Sequence, residues 1–376
     1  MMQQAKAEII KHYRKQYKRS IKGEKSRIID IIIESTGYSR KHVIHALNED
    51  VEVPKEITRD RVPRYEPIIE PLEKIWAVSN FLCGRRLEPF IPELVSSLKR
   101  HQEIDLTEQE ESLLLSISSA TIDRLLGPAR KGLVPKGRST TKPGTLLKHK
   151  IAIRTFADWN EDVPGFLEID LVAHCGDNTR GEYINTLDMT DVATGWTVCT
   201  AFMGRSERFC VAAIEDVKPS FPFAILGIDS DNGSEFINAH LKRYCERNSI
   251  TFTRGRANKK NDSCYVEQKN WDVVRKMIGY ARFDTREQLD TIKGIENLLT
   301  LYQNYFQPSQ KLVSKERIGA RVKKKYDGAQ TPSQRLLSRP ETPEPTRTAL
   351  RNTFQGLNPV QLLRSIQTLI SELYQP

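Results

Sequence analysis

An aspartate in the middle of an apolar strand pattern restricts this chain more than any other feature. Leu167-Glu168-Ile169-Asp170-Leu171-Val172 alternates so that Glu168, Asp170 and Val172 share one face, opposite Leu167, Ile169 and Leu171. Aspartate is depleted from strand interiors, so Asp170 needs a reason to be there. A second apolar run, Phe223 to Ile228, leads into Asp229-Ser230-Asp231-Asn232-Gly233. It reads as a buried strand that stops at Asp231, with Asn232-Gly233 turning the chain. Beyond a short strand pattern at Ile250 to Thr253 and a basic loop, Asn261, Asp262 or Ser263 can cap a helix that carries Glu267 in its first turns. Thirty-five residues (267 − 231 − 1) separate Asp231 from Glu267. If the two strands are neighbours, Asp170 and Asp231 meet as like charges and one pKa rises. A divalent cation removes that penalty, and Mg²⁺ takes carboxylate oxygens while keeping waters and phosphate ligands.

Two aspartates on strand ends, followed by a helical glutamate at this spacing, resemble the acidic triad of the retroviral integrase and DDE transposase superfamily. Asp231-Asn232-Gly233-Ser234-Glu235-Phe236 is similar to that family's second-aspartate motif. Asn261-Asp262 with Val266-Glu267-Gln268-Lys269-Asn270 resembles the glutamate helix of bacterial insertion-sequence transposases, an ISNCY-like branch. The likeness is close over residues 150–310 and looser outside them. It implies an α/β ribonuclease-H-like catalytic core, a mixed sheet with flanking helices, preceded by all-α helix-turn-helix modules. It also implies that Asp170, Asp231 and Glu267 are catalytic and hold two Mg²⁺ or Mn²⁺ ions, roughly 3.5–4 Å apart in sites of this kind. The implied function is metal-dependent cleavage and transfer of DNA strands at an element's terminal inverted repeats. Asp229 shares a face with Asp231 and is the rival second ligand; the family pattern favours Asp231. A sequence-specific DNA-binding protein that keeps the fold without the activity is the alternative.

The charge balance agrees with a polyanionic partner. Net charge is +10 and the pI about 9.2. The expected partners are double-stranded DNA, as element ends and target, and further copies of the chain in a homo-oligomer. Six scattered cysteines form no Cys-x-x-Cys pair, which argues against a zinc finger or a disulfide framework. His174-Cys175 has no second ligand pair nearby and reads as packed hairpin residues. No apolar window approaches a membrane span and no phosphate-binding Gly-x₄-Gly-Lys loop occurs, so neither a membrane nor a nucleotide cofactor is expected. A reduced, cytoplasmic, bacterial protein, nucleoid-associated when bound to DNA, is the resulting expectation.

Five regions follow from changes in pattern. Residues 1–52 read as a helix-turn-helix module, broken at Ser35 to Tyr38 and restarting at Ser39, with Arg40, Lys41 and His45 free to meet DNA. Residues 53–130 read as a second helical module, with a capping box at Thr107 to Glu110 and Thr121 and Arg124 as candidate contacts. Residues 131–150 form a basic linker. From Arg130 to Arg154 there are eight Lys or Arg and no acid, and Lys136 and Arg138 suit phosphate tracking. Residues 151–306 carry the core, where Lys259 and Lys260, then Lys269, Arg275 and Lys276 on the glutamate helix, are read as DNA-facing. Residues 307–376 combine a basic arm at Lys315 to Lys325, a Pro/Thr/Glu-rich linker at 338–350 and a final helix capped by Asn358.

Overall fold

A computed structural model describes residues 3–48, 63–130, 152–153, 162–204, 207–230, 236, 239–254, 266, 269–319 and 321–375. The chain forms two compact units, Met1–Arg64 and Tyr65–Pro376. The first consists of α1 (Gln3–Arg19), α2 (Lys22–Thr36) and α3 (Arg40–Asn48). Ile10, Tyr17, Ile28, Ile29, Ile32, Val43 and Leu47 make its core. Gly37 ends α2 at φ +69°, where its N–H reaches Ile33 O at 2.8 Å; a side chain there would strain the turn into α3.

The second unit begins with a helical block: α4 (Ile69–Val78), α5 (Ile91–Arg100), α6 (Glu108–Leu115) and α7 (Ser119–Leu125). Thr107 and Glu110 close the capping box ahead of α6, and Ser118 caps α7. The mixed sheet follows. Its strands are β1 (Ala152–Ile153), β2 (Phe166–Ala173), β3 (Ile184–Asp191), β4 (Thr197–Met203), β5 (Gly227–Ser230) and β6 (Thr251–Arg254), in the order β1-β6-β5-β2-β3-β4. β2, β3 and β4 form an antiparallel meander, while β5 and β6 run parallel to β2. Helices α8 (Glu207–Val217) and α9 (Ala239–Arg247) make the crossovers. This strand order with flanking helices is the ribonuclease-H-like fold. β1 is paired in parallel with β6, and the residues on either side of it lie outside the described residues.

Helix α10 (Arg286–Phe306) starts at a second capping box, Thr285 with Gln288, and runs along the sheet edge. Asn304 on its last turns accepts from Thr197 N–H at 2.9 Å and donates to Thr197 O at 2.7 Å. Part of the open edge of β4 is thereby satisfied by a side-chain amide. Residues 65–130, read from sequence as a module of their own, pack into this same unit. Leu72, Ile75, Phe90, Leu94 and Ile122 belong to one apolar cluster with the sheet residues Leu167, Ile169 and Met189. Tyr302 Oη donates to Val78 O at 2.6 Å and Gln307 Nε2 to Ser79 O at 2.9 Å, fixing α10 to the end of α4. The block's helical stripes gave no sign of what they would bury against.

The C-terminal region holds a hairpin, β7 (Leu312–Ile318) and β8 (Arg321–Tyr326), then a short helix Pro332–Leu337, α11 (Glu344–Gly356) and α12 (Pro359–Leu373). The segment expected to be a linker at 338–350 is therefore helical from Glu344. Pro345 stands in the first turn, where its missing N–H costs nothing, and Glu344 favours the same end. Leu350 is buried, and Phe354 packs on Phe306 with ring centroids 5.5 Å apart. Asn358 caps α12 through Val360 and Gln361 N–H, and the apolar stripe of α12 docks on this chain itself.

A buried polar chain ties α10 to the meander. Thr186 Oγ1 donates to Glu296 Oε1 at 2.5 Å, and His174 Nε2 lies 2.8 Å from the same hydroxyl. Burial pushes Glu296 up to about 8, with the Thr186 bond pulling the other way. Burial, then the Arg275 charge, pushes His174 down to about 3. Only the folded chain holds the Glu296 proton between its ordinary 4.5 and about 8, so this stabilisation is complete below 4.5 and lost as pH rises through 8. Asp188, pushed up to about 7, acts in the same direction, and His174 acts oppositely but only below 6.5. Thermal melts should therefore show Tm falling as pH rises from about 7 to about 8.5. Glu296→Gln should flatten that dependence, and a variant as pH-sensitive as the wild type would contradict the assignment.

Candidate active site

The register of the sheet gathers carboxylates on one face. Asp170 of β2 stands opposite Asp188 of β3, and Glu168 stands between Thr190 of β3 and Asp229 of β5. Each has its own compensation. Asp170 Oδ1 accepts Leu171 N–H at 2.8 Å, and Oδ2 accepts the amide of Asn270 at 2.6 Å. Glu168 Oε2 accepts Val266 N–H at 2.9 Å. Thr253 Oγ1 donates to Asp229, and Thr190 Oγ1 donates to Asp188 at 3.1 Å. Burial raises Asp188 to about 7, against the Thr190 bond and the positive field of Lys269. Asp170 alone of the four is only partly buried.

Asp231 and Glu267 lie outside the described residues, yet their chain neighbours are described. Ser230 pairs in parallel register with Ile169, the residue before Asp170. Val266 reaches Glu168, and Asn270 reaches Asp170 itself. A π-helical turn, Asn270–Arg275, carries the chain away from the carboxylates. Such turns recur at functional sites because they re-aim side chains locally. Among the described residues no three His, Cys, Asp or Glu group as a metal site. The donor chemistry still fits a hard divalent cation: carboxylate oxygens, one of them partly open to solvent, with no soft ligand required.

The basic residues of the glutamate helix differ from their sequence reading. Lys269 is buried, 8% exposed, and acts on Asp188. Arg275 is half-buried, donates to Ala173 O at 2.9 Å and lies over the Tyr280 ring. The segment packs against β2, through Asn270 on Asp170 and Arg275 on Ala173. Lys276 is exposed, with Nζ 2.9 Å from Asn80 O. Elsewhere Arg40, Lys41 and His45 are exposed on α3, and Arg40 pairs with Asp30 at 2.5 Å. Thr121 is half-buried against Ser118 Oγ, and Arg124 is exposed. Lys136, Arg138, Lys259 and Lys260 lie outside the described residues. Asp191 holds the turn after β3, accepting from Gly165 N–H, Thr194 N–H and the Thr194 hydroxyl. His174 contacts Thr186, in keeping with a packed hairpin residue.

Sequence reading gave no role to Asn270 or Glu168. The usable signal for Asn270 was its spacing, three residues beyond Glu267 and so on the same face of a helix. Glu168 was already placed on the face of Asp170.

No family model matches the chain. It is 38% identical over 324 residues to the uncharacterized protein y4rM of Sinorhizobium fredii, covering 85% of this chain and 92% of that protein. The chain belongs to the y4rM family. Among solved structures it is similar to the HTLV-2 integrase catalytic core domain in complex with magnesium (14% identity, TM-score 0.30, 39% of this chain and 91% of that one). It is also similar to the catalytic core domain of BIV integrase (16%, TM-score 0.31, 45% and 91%). A third likeness is to the simian T-cell lymphotropic virus intasome in complex with a PP2A regulatory subunit (13%, TM-score 0.32, 56% and 68%). For this member of the y4rM family, strand order carries the fold assignment.

A hydrogen bond to a charged group contributes about 1.5–3 kcal/mol. Asn270→Ala should accordingly lower the unfolding free energy by about that amount in metal-free buffer. Asn270→Asp should cost more at pH 8 than at pH 5, because it sets a second carboxylate against Asp170. Urea unfolding at both pH values checks this, and equal costs at the two would contradict the contact.

Proposed function

We propose that the protein is a DDE transposase, which binds the ends of an insertion sequence and cleaves and transfers DNA strands. The observation that carries this reading is the convergence on Asp170: Ser230 in register beside it, and Val266 and Asn270 bonded to Glu168 and to Asp170 itself. The residues next to Asp231 and Glu267 pair with or bond the strand that carries Asp170, which supports a three-carboxylate site. Asp170, Asp231 and Glu267 would hold two Mg²⁺ or Mn²⁺ ions, which activate water or a 3′ hydroxyl and stabilise the leaving oxygen at phosphorus. The chain's own part is to keep oxygens aimed and charge balanced. Asn270 and the Leu171 N–H each hold one oxygen of Asp170, so the carboxylate's direction is fixed from two sides. Lys269 offsets Asp188, so the face carries less repulsion before any cation binds.

DNA recognition falls to the exposed cations of the helical parts. Arg40, Lys41 and His45 on α3 suit a groove, with Thr121 and Arg124 of α7 as further contacts. Lys136, Arg138, Lys259, Lys260 and Lys276 suit backbone phosphates. The chain would act in the cytoplasm as a homo-oligomer, because two element ends must be held together. No helix among the described residues is long and apolar enough to cross a membrane.

The test is nicking of a duplex that contains the DNA flanking the reading frame, in Mg²⁺ or Mn²⁺. Asp170→Asn, Asp231→Asn and Glu267→Gln should each reduce the rate by about 10³-fold, equivalent to roughly 4 kcal/mol of barrier. Duplex binding should persist. Undiminished nicking by any of the three would remove that residue from the site.

A further inference from the structure

The hairpin of β7 and β8 exposes Lys315, Arg317, Arg321, Lys323, Lys324 and Lys325 beside a single acid, Glu316. Among the described residues none of these six cations makes an ion pair. Lys315 stands opposite Lys324, an arrangement in which like charges destabilise the strand pair. Two-stranded ribbons are marginal by themselves, so a repelling one needs a root. The root is well built. Asp327 Oδ2 accepts from Arg335 Nη1 at 2.6 Å, Asp327 Oδ1 accepts from Lys311 N–H at 2.6 Å, and Arg335 Nη2 donates to Ser309 O at 2.7 Å. Lys311 Nζ then donates to Ala193 O at 2.6 Å, joining the root to the turn between β3 and β4. The fold therefore aims an arm, about 20 Å long at 3.3–3.4 Å per residue, from a fixed base on the catalytic sheet.

The two faces of the arm differ. Register and alternation place Lys315, Arg317, Val322, Lys324 and Tyr326 on one face, which carries no acid. Val322 and Tyr326 are 46% and 44% exposed there, apolar surface that no part of this unit covers. Glu316 lies opposite Lys323 on the other face. A duplex offers what this surface lacks: closely spaced negative charge and a major groove about 12 Å wide that admits a two-stranded ribbon.

We infer that the hairpin is a DNA-binding arm that enters the major groove with the face of Lys315, Arg317, Val322 and Lys324. This deepens the transposase reading and rests on it for the identity of the partner. Phosphates flanking the groove relieve the repulsion between Lys315 and Lys324, and Arg317 is placed to meet base edges.

The experiment measures equilibrium binding of the full chain to a mixed-sequence 30-base-pair duplex, by fluorescence anisotropy over a range of salt. Replacing Lys315, Arg317 and Lys324 together by Gln should weaken binding by at least about tenfold at low salt. It should also make the log–log salt slope shallower by about 2, as expected for the two lost phosphate contacts of Lys315 and Lys324. Lys315→Arg with Lys324→Arg, which keeps the charge, should bind as the wild type does. The melting temperature of the triple variant should not fall, since the replaced side chains are exposed and losing Lys315 and Lys324 removes a repulsion. Wild-type affinity and slope in the triple variant would overturn the inference. So would an equal loss when Arg321, Lys323 and Lys325 are replaced instead, or a loss of binding to anionic vesicles with duplex binding intact. A wild-type chain without duplex affinity would sink the transposase reading itself, whereas a binding wild type with an unaffected triple variant would sink the arm alone.

Discussion

Four carboxylates on one face of adjoining strands set the terms for the rest of this molecule. Glu168, Asp170, Asp188 and Asp229 occupy directly paired positions on β2, β3 and β5. Two unit charges 5 Å apart repel by roughly 3 kcal/mol at an effective dielectric of 20. The chain meets this locally, with a donor from Val266, the amide of Asn270, hydroxyls from Thr190 and Thr253, and the buried cation of Lys269. Burial shifts Asp188 toward its neutral form as well. What remains is Asp170, still partly open, its geometry fixed from two sides.

The surrounding elements hold that face in register. Asn304 satisfies part of the edge of β4, and the His174–Thr186–Glu296 chain fixes α10 over the meander. The helical block at 65–130 and the helices after residue 330 then bury α10 from its other sides. The sheet is thus embedded in a larger unit, and a basic hairpin is rooted next to the β3–β4 turn. The first sixty-four residues fold around a separate core of their own.

Much of this could be read from local chemistry. Alternation marked β2, apolar runs bounded by turn residues marked β5 and β6, and side-chain caps announced α6 and α12 at Thr107 and Asn358. Asp170 stood out because an acid in an apolar strand costs energy. The features that escaped were set by tertiary partners. Lys269 looked like a DNA-facing helix charge, since no window of sequence shows Asp188 beside it. The helical stripes of 65–130 gave their period without revealing the α10 surface they cover. Residues 338–350 looked like a linker because proline and threonine are poor helix formers. A proline in the first turn is tolerated, however, and the burial of Leu350 secures the helix.

The central claim is that Asp170, Asp231 and Glu267 converge on one divalent-cation site. Anomalous diffraction from crystals soaked in Mn²⁺ tests it most directly. The account predicts a peak within coordination distance, about 2.0–2.3 Å, of an Asp170 oxygen, with the carboxylates of Asp231 and Glu267 completing the same ligand sphere. Mn²⁺ bound elsewhere, or a site reached by Asp170 without either partner, would contradict it.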